Sequence, residues 1–179
     1  MTYRKIARKF VLTKKLKKTI NDMNFNSIGL NKEKSESIVK DLNQLLADYQ
    51  QFYMNLRGFH WNIKGASFFE LHVKFEELYN DINLKVDEIA ERILALNGSP
   101  LHTFTDYQAI SDIKEVKNMT DGPTIIGELL KDYQILIKQQ REILEKASNN
   151  SDEGTVTLMS DYITAQEKTV WMLSAYLGK

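Results

Sequence analysis

An all-α four-helix bundle is the fold class this sequence predicts, and three observations predict it. Apolar residues recur at three- and four-residue steps over four long stretches. No stretch alternates with the two-residue period of a strand, and no segment repeats. Only two prolines and eight glycines interrupt 179 residues. A chain of this length is expected to form one domain with a real core.

The first helix is expected from Asn31, with Ile38, Val39, Leu42, Leu45, Leu46, Tyr49, Phe52, Tyr53, Leu56 and Phe59 on its apolar side and its end near Gly65. Ser67-Phe-Phe-Glu70 has the form of a capping box, in which the Ser hydroxyl takes a free N–H and the Glu reaches back. It predicts a second helix from about Phe68 to Leu96, stopped by Asn97-Gly98-Ser99-Pro100, with Gly98 available for a left-handed cap. Residues 99–120 form a long crossover connection with a short helix at Thr105 to Ile110. Asp121-Gly-Pro123 reads as an N-cap with Pro in the first turn of a third long helix ending near Ser148. Ser151-Asp-Glu-Gly154 opens the fourth, which carries Leu158, Met159, Tyr162, Ile163, Val170, Trp171, Leu173 and Leu177. Tyr133, Tyr162 and Trp171 are read as core. One long crossover among four long helices gives ferritin-like connectivity.

Net charge is zero but unevenly spread. Residues 1–22 carry Arg4, Lys5, Arg8, Lys9, Lys14, Lys15, Lys17 and Lys18 against Asp22 alone, while the rest holds 16 basic and 23 acidic side chains. The division expected is a basic arm at 1–22 and a bundle domain at 23–179. The arm reads as a solvated tail or a stretch upstream of a second start at Met23, as a nucleic-acid-binding arm, or as a targeting or membrane-surface helix. It lacks the apolar core and small-residue cleavage site of a secretory signal. The absence of cysteine excludes disulfides and thiolate metal sites. No apolar run approaches the roughly 18 residues of a membrane span.

The chemistry concentrates in Phe59–Gly98. His60 and His72 lie there, followed by Glu76, Asp87 and Glu91. Hard carboxylate oxygens with one or two imidazoles suit iron in a helical bundle. An intrachain di-iron site is excluded, because the chain has no Glu-x-x-His and its last two long helices have no His. With His72 at zero, Glu76, Asp87 and Glu91 fall at about 40, 60 and 100 degrees around the helix. All share a face, yet Asp87 lies roughly 16 Å beyond Glu76 along the axis. One metal cannot touch both within a subunit. A two-fold dimer with antiparallel second helices would unite one subunit's histidine end with its mate's Asp87 and Glu91, giving two equal sites. The competing reading is a solvated charged face, with Lys74 and Lys85 among the acids and His72 a core histidine. His102, in the connection, reads as a surface residue.

The strings HWNIKG, F-x-x-L-H at Phe68 to His72, D-E-I-A-E-R at Asp87 to Arg92, L-N-G-S-P and the C-terminal MSDYITAQEKTVWMLSAYLG resemble the Dps family of mini-ferritins (DNA-binding proteins from starved cells) over residues 24–179. The resemblance implies a cytoplasmic dodecameric shell built from two-fold dimers. It also implies iron as the metal and a ferroxidase centre shared across the dimer interface, with peroxide as preferred oxidant. His60, His72, Asp87 and Glu91 match the family's centre, and Trp61 its nearby aromatic. Glu76 stands where the family usually has Asp, which moves the carboxylate by one methylene. Thr157 aligns with an acidic pore residue, with Asp152, Glu153 and Asp161 nearby to compensate. The alternative function is non-specific DNA binding, nucleoid-associated, through the arm. Its signature would be salt-sensitive affinity lost on deleting residues 2–22.

Overall fold

The computed structural model describes residues 24–179, and the calls on the arm at 1–22 lie outside it. The described residues form five helices: α1 (Lys32–Asn62), α2 (Phe68–Ala95), α3 (Phe104–Ile110), α4 (Gly122–Ser148) and α5 (Glu153–Tyr176). Short connections make α1/α2 and α4/α5 antiparallel hairpins. The hairpins pack through α1 on α4, and the crossover lays α3 against α1.

Helix starts follow side-chain chemistry. Asn31, Asp121 and Asp152 each accept a backbone N–H of the first turn, from Lys34, Thr124 and Thr155 at 3.0 Å. Ser67 does not, and the expected capping box is absent. Its ψ of 24° departs from the extended conformation that aims a cap hydroxyl at the helix. Gly65, at φ +106°, turns the chain instead, and its carbonyl accepts from Phe68 N at 3.1 Å. At the end of α2 the left-handed residue is Asn97 (φ 67°), not Gly98. Gly98 is required for space, because a Cβ there would lie 2.5 Å from Val39 Cγ1.

The core runs through all four long helices. Tyr49, Phe52, Phe75, Ile82, Leu129 and Tyr133 are among its fully buried members. At mid-height the core turns polar. Gln140 Nε2 donates to the Tyr49 hydroxyl at 2.8 Å and to Gln166 Oε1 at 3.1 Å, and Gln166 also donates to Tyr49. Burial drives the Tyr49, Tyr133 and Tyr162 phenols well upward, so the tyrosines stay neutral. Trp171 is a correction: it is 67 % exposed. Val170, Trp171, Met172 and Leu173 are consecutive, so one helix face cannot bury them all.

A polar stripe on α1 holds the crossover. Asp48, fully buried, accepts at Oδ1 from the Ser111 hydroxyl and from the Asp112 and Ile113 N–H groups at 2.8, 2.7 and 3.1 Å. Two turns on, Asn55 donates to Lys114 O at 2.9 Å and accepts from Val116 N at 3.1 Å. These bonds satisfy backbone groups that a buried loop would otherwise leave orphaned.

Arg92 locks α2 to α5. It pairs with buried Asp152 and donates through Nε to Thr155 Oγ1 at 2.8 Å. A Cβ on Gly154 would come within 2.8 Å of the guanidinium, so this position needs its bare backbone. Asp152, expected as a pore candidate, is therefore a cap and ion-pair partner with no free face. Arg92→Ala should destabilise the protein by about 3 kcal/mol, because it strands a buried carboxylate. Arg92→Lys should not restore the loss, because it cannot bond both partners. Denaturant midpoints at fixed protein concentration would check both, and an unchanged midpoint in Arg92→Ala would contradict the role.

Candidate metal centre

The last turn of α1 carries His60, and the first turn and a half of α2 carries His72. The five-residue connection between them is held at Lys64, whose N–H bonds to Thr120 O at 3.0 Å. The hairpin brings the imidazoles face to face, with centroids 3.8 Å apart and planes at 21°. Phe68 stacks on the outer side of His72, and Tyr79 meets His60 edge-on.

Their hydrogen bonds are reciprocal. His60 Nδ1 lies 2.8 Å from His72 O, and His72 Nδ1 lies 2.9 Å from His60 O. A carbonyl oxygen only accepts, so each Nδ1 must carry the hydrogen. In the neutral ring that leaves the Nε2 lone pair free, the state in which histidine binds a metal. Each residue thus fixes the other's tautomer and ring orientation.

An aromatic cage flanks the pair. The Arg57 guanidinium lies 4.9 Å from the Trp61 ring centroid, 5.5 Å from that of Tyr53 and 5.6 Å from that of Tyr79. It donates to the Tyr53 hydroxyl at 2.8 Å. Tyr79 keeps its proton, because desolvation and then the nearby Glu76 carboxylate push the phenol upward. Its oxygen is 3.4 Å from Glu76 Oε1, a long and weak bond. Periodicity marks Tyr53 and Tyr79 only as apolar-face positions, and it gives Arg57 no part in a site. The four-residue spacing of Tyr53, Arg57 and Trp61 could have drawn attention to them.

Asp87 and Glu91 are exposed on α2, away from the histidines. Fifteen residues separate His72 from Asp87, roughly 22 Å along the helix. Among the described residues no three His, Asp or Glu side chains gather as a metal site. The acids of α2 nevertheless divide into two kinds. Glu77 pairs with Lys74, Asp81 with Lys85, and Glu88 accepts from the Tyr162 hydroxyl. Asp87, Glu91 and, in the first turn, Glu70 make no ion pair or side-chain hydrogen bond among the described residues. Lys85, which the competing reading puts on a solvated face, is 7 % exposed with its ammonium over the Tyr162 ring. His102 is exposed, as expected.

Two antiparallel helical hairpins, one crossover and a histidine pair at the hairpin's end define a ferritin-like protein, and the ferritin-like domain model matches residues 39–179. Within that class the comparisons are narrower. The chain is 44 % identical to the DNA protection during starvation protein of Porphyromonas gingivalis over 151 residues, covering 84 % of this chain and 95 % of that one. The crystal structure of a Dps protein from Vibrio cholerae O1, described as a member of a broad superfamily of ferritin-like diiron-carboxylate proteins, superposes with a TM-score of 0.85 at 53 % identity. That match covers 86 % of this chain and 97 % of the other. A Dps protein from Bacillus brevis gives 0.79 at 32 % identity, covering 81 % and 97 %. The chain belongs to the Dps family.

Ring ¹⁵N shifts from histidine-labelled, metal-free protein should show both His60 and His72 as Nδ1–H tautomers at a pH where they are neutral. An Nε2–H signal from either would break the reciprocal arrangement.

Proposed function

We propose that this protein oxidises Fe²⁺ at centres shared between two subunits and stores the ferric product inside a dodecameric shell. His60, His72 and Glu76 of one subunit hold iron together with Asp87 and Glu91 of its mate. The observation that carries this reading is the histidine pair, locked with both Nδ1 atoms occupied and both Nε2 atoms free. Two imidazoles alone do not complete the shell of a hard metal ion, which wants carboxylate oxygens. Asp87 and Glu91, which have no side-chain partner among the described residues, lie too far along the same helix to supply them in cis.

Membership of the Dps family supports iron storage and protection as the task. With peroxide as oxidant, two Fe²⁺ each give one electron. The O–O bond takes both and breaks to hydroxide, so no hydroxyl radical is released. Glu76, about one turn after His72 on α2, would bring its carboxylate to the site with one methylene more than Asp would have. Among the described residues no helix is long and apolar enough to cross a membrane. The cytoplasm is the compartment that fits the family. Where the family carries an acid at an iron pore this chain has Thr157, for which Glu153 and Asp161, both exposed on α5, would compensate.

The test is stopped-flow mixing of anaerobic, Fe²⁺-loaded protein with peroxide, following ferric absorbance. The wild type should oxidise iron faster than buffer does, and Asp87→Ala with Glu91→Ala should fall to the buffer rate. An undiminished rate in that double variant would refute the assignment.

A further inference from the structure

The seat of the crossover on α1 lies beside a carboxyl group that the fold leaves without support. Asp132, on α4, is 4 % exposed, and its Oδ2 has no hydrogen-bond partner. Across the α1–α4 interface it faces Asn55 and Asp48, the two residues that hold residues 111–116. On its own helix the charged neighbours are Glu128 and Lys131. The one cation is drawn away, because Lys131 pairs with Glu128 at 2.7 Å. An anion here has two like charges around it and a bare oxygen, whereas the neutral acid escapes the repulsion and its bare oxygen costs less.

We propose that Asp132 is a pH-sensitive latch: protonated, it lets the crossover segment 111–116 rest on α1, and ionised, it loosens that seat. The route runs through Asn55. Its amide donates to Lys114 O and faces the Asp132 carboxyl across the helix interface. A carboxylate attracts that amide more strongly than a neutral acid does, and draws it toward α4 and off the crossover. Repulsion between Asp132 and Asp48 acts in the same direction on the N–H groups of Asp112 and Ile113.

Burial, and then Glu128, push the Asp132 carboxyl from its ordinary 3.8 up to about 7. Between those values the folded chain holds a proton that the open or unfolded chain has released. The stability contributed by neutral Asp132 is therefore complete below about 3.8 and is lost as pH rises through about 7. The device needs no iron, so it stands apart from the proposed oxidation.

Hydrogen exchange of the full chain tests it, with amide protection at residues 111–118 measured at pH 6 and pH 8 and corrected for intrinsic rate. Release of one proton should lower protection about tenfold between the two. Asp132→Asn should remove that dependence. Glu128→Gln, which leaves Asp132 in place, should move the midpoint to lower pH and serves if the first variant does not fold. Equal protection at both pH values in the wild type, the same pH dependence in Asp132→Asn, or an unmoved midpoint in Glu128→Gln would overturn the latch.

Discussion

The fixed rise of the α-helix is the constraint on which the proposed site depends. At about 1.5 Å per residue, His72 and Asp87 cannot serve one metal from a single copy of α2. No rotamer choice closes a gap of that size. The chemistry assigned to this protein therefore becomes a property of its assembly. In the proposed assembly the same helix would supply one half-site at its start and the other near its far end, and two-fold symmetry would turn this mismatch into two identical centres.

Within one chain the fold already orders the histidine half of the proposed centre. The α1/α2 hairpin stacks the imidazoles, and each histidine's backbone carbonyl sets the tautomer of the other. Phe68 and Tyr79 close the flanks, and the Arg57 cage packs the next turn back. Such preparation limits the ordering that metal binding must still bring about. Asp87 and Glu91, by contrast, stay exposed with no side-chain partner among the described residues, while Glu77 and Asp81 pair with lysines and Glu88 takes the Tyr162 hydroxyl. Buried polar groups elsewhere serve architecture: Asp48 and Asn55 seat the crossover, and Arg92 with Asp152 fixes the start of α5.

The long helices were legible because their apolar positions repeat with the helical period, and because Asn31, Asp121 and Asp152 are side chains that cap helices. Ser67 has the right chemistry but the wrong backbone angle, which no residue identity reveals. Asn97 takes the left-handed cap expected of Gly98, and the close approach of Val39 is what requires Gly98 to lack a side chain. Trp171 misled because periodicity marks apolar residues without saying how many one bundle can cover. Phe69 and Phe104 are likewise exposed on the single chain, at 78 % and 76 %. The candidate ligands were legible from spacing together with family resemblance. The reciprocal histidine bonds were not, because they arise only when the hairpin closes.

Subunit complementation tests the shared centre most directly. One parent carries His60→Ala and His72→Ala, the other Asp87→Ala and Glu91→Ala, and the two are unfolded, mixed and reassembled. Each parent alone should lack the rapid peroxide-driven oxidation of Fe²⁺. In a mixed dimer one of the two centres draws its histidines and its carboxylates from intact halves. Random pairing should then restore about a quarter of the wild-type burst amplitude. A mixture no faster than its parents, or a parent that keeps the burst alone, would contradict a centre built from two chains.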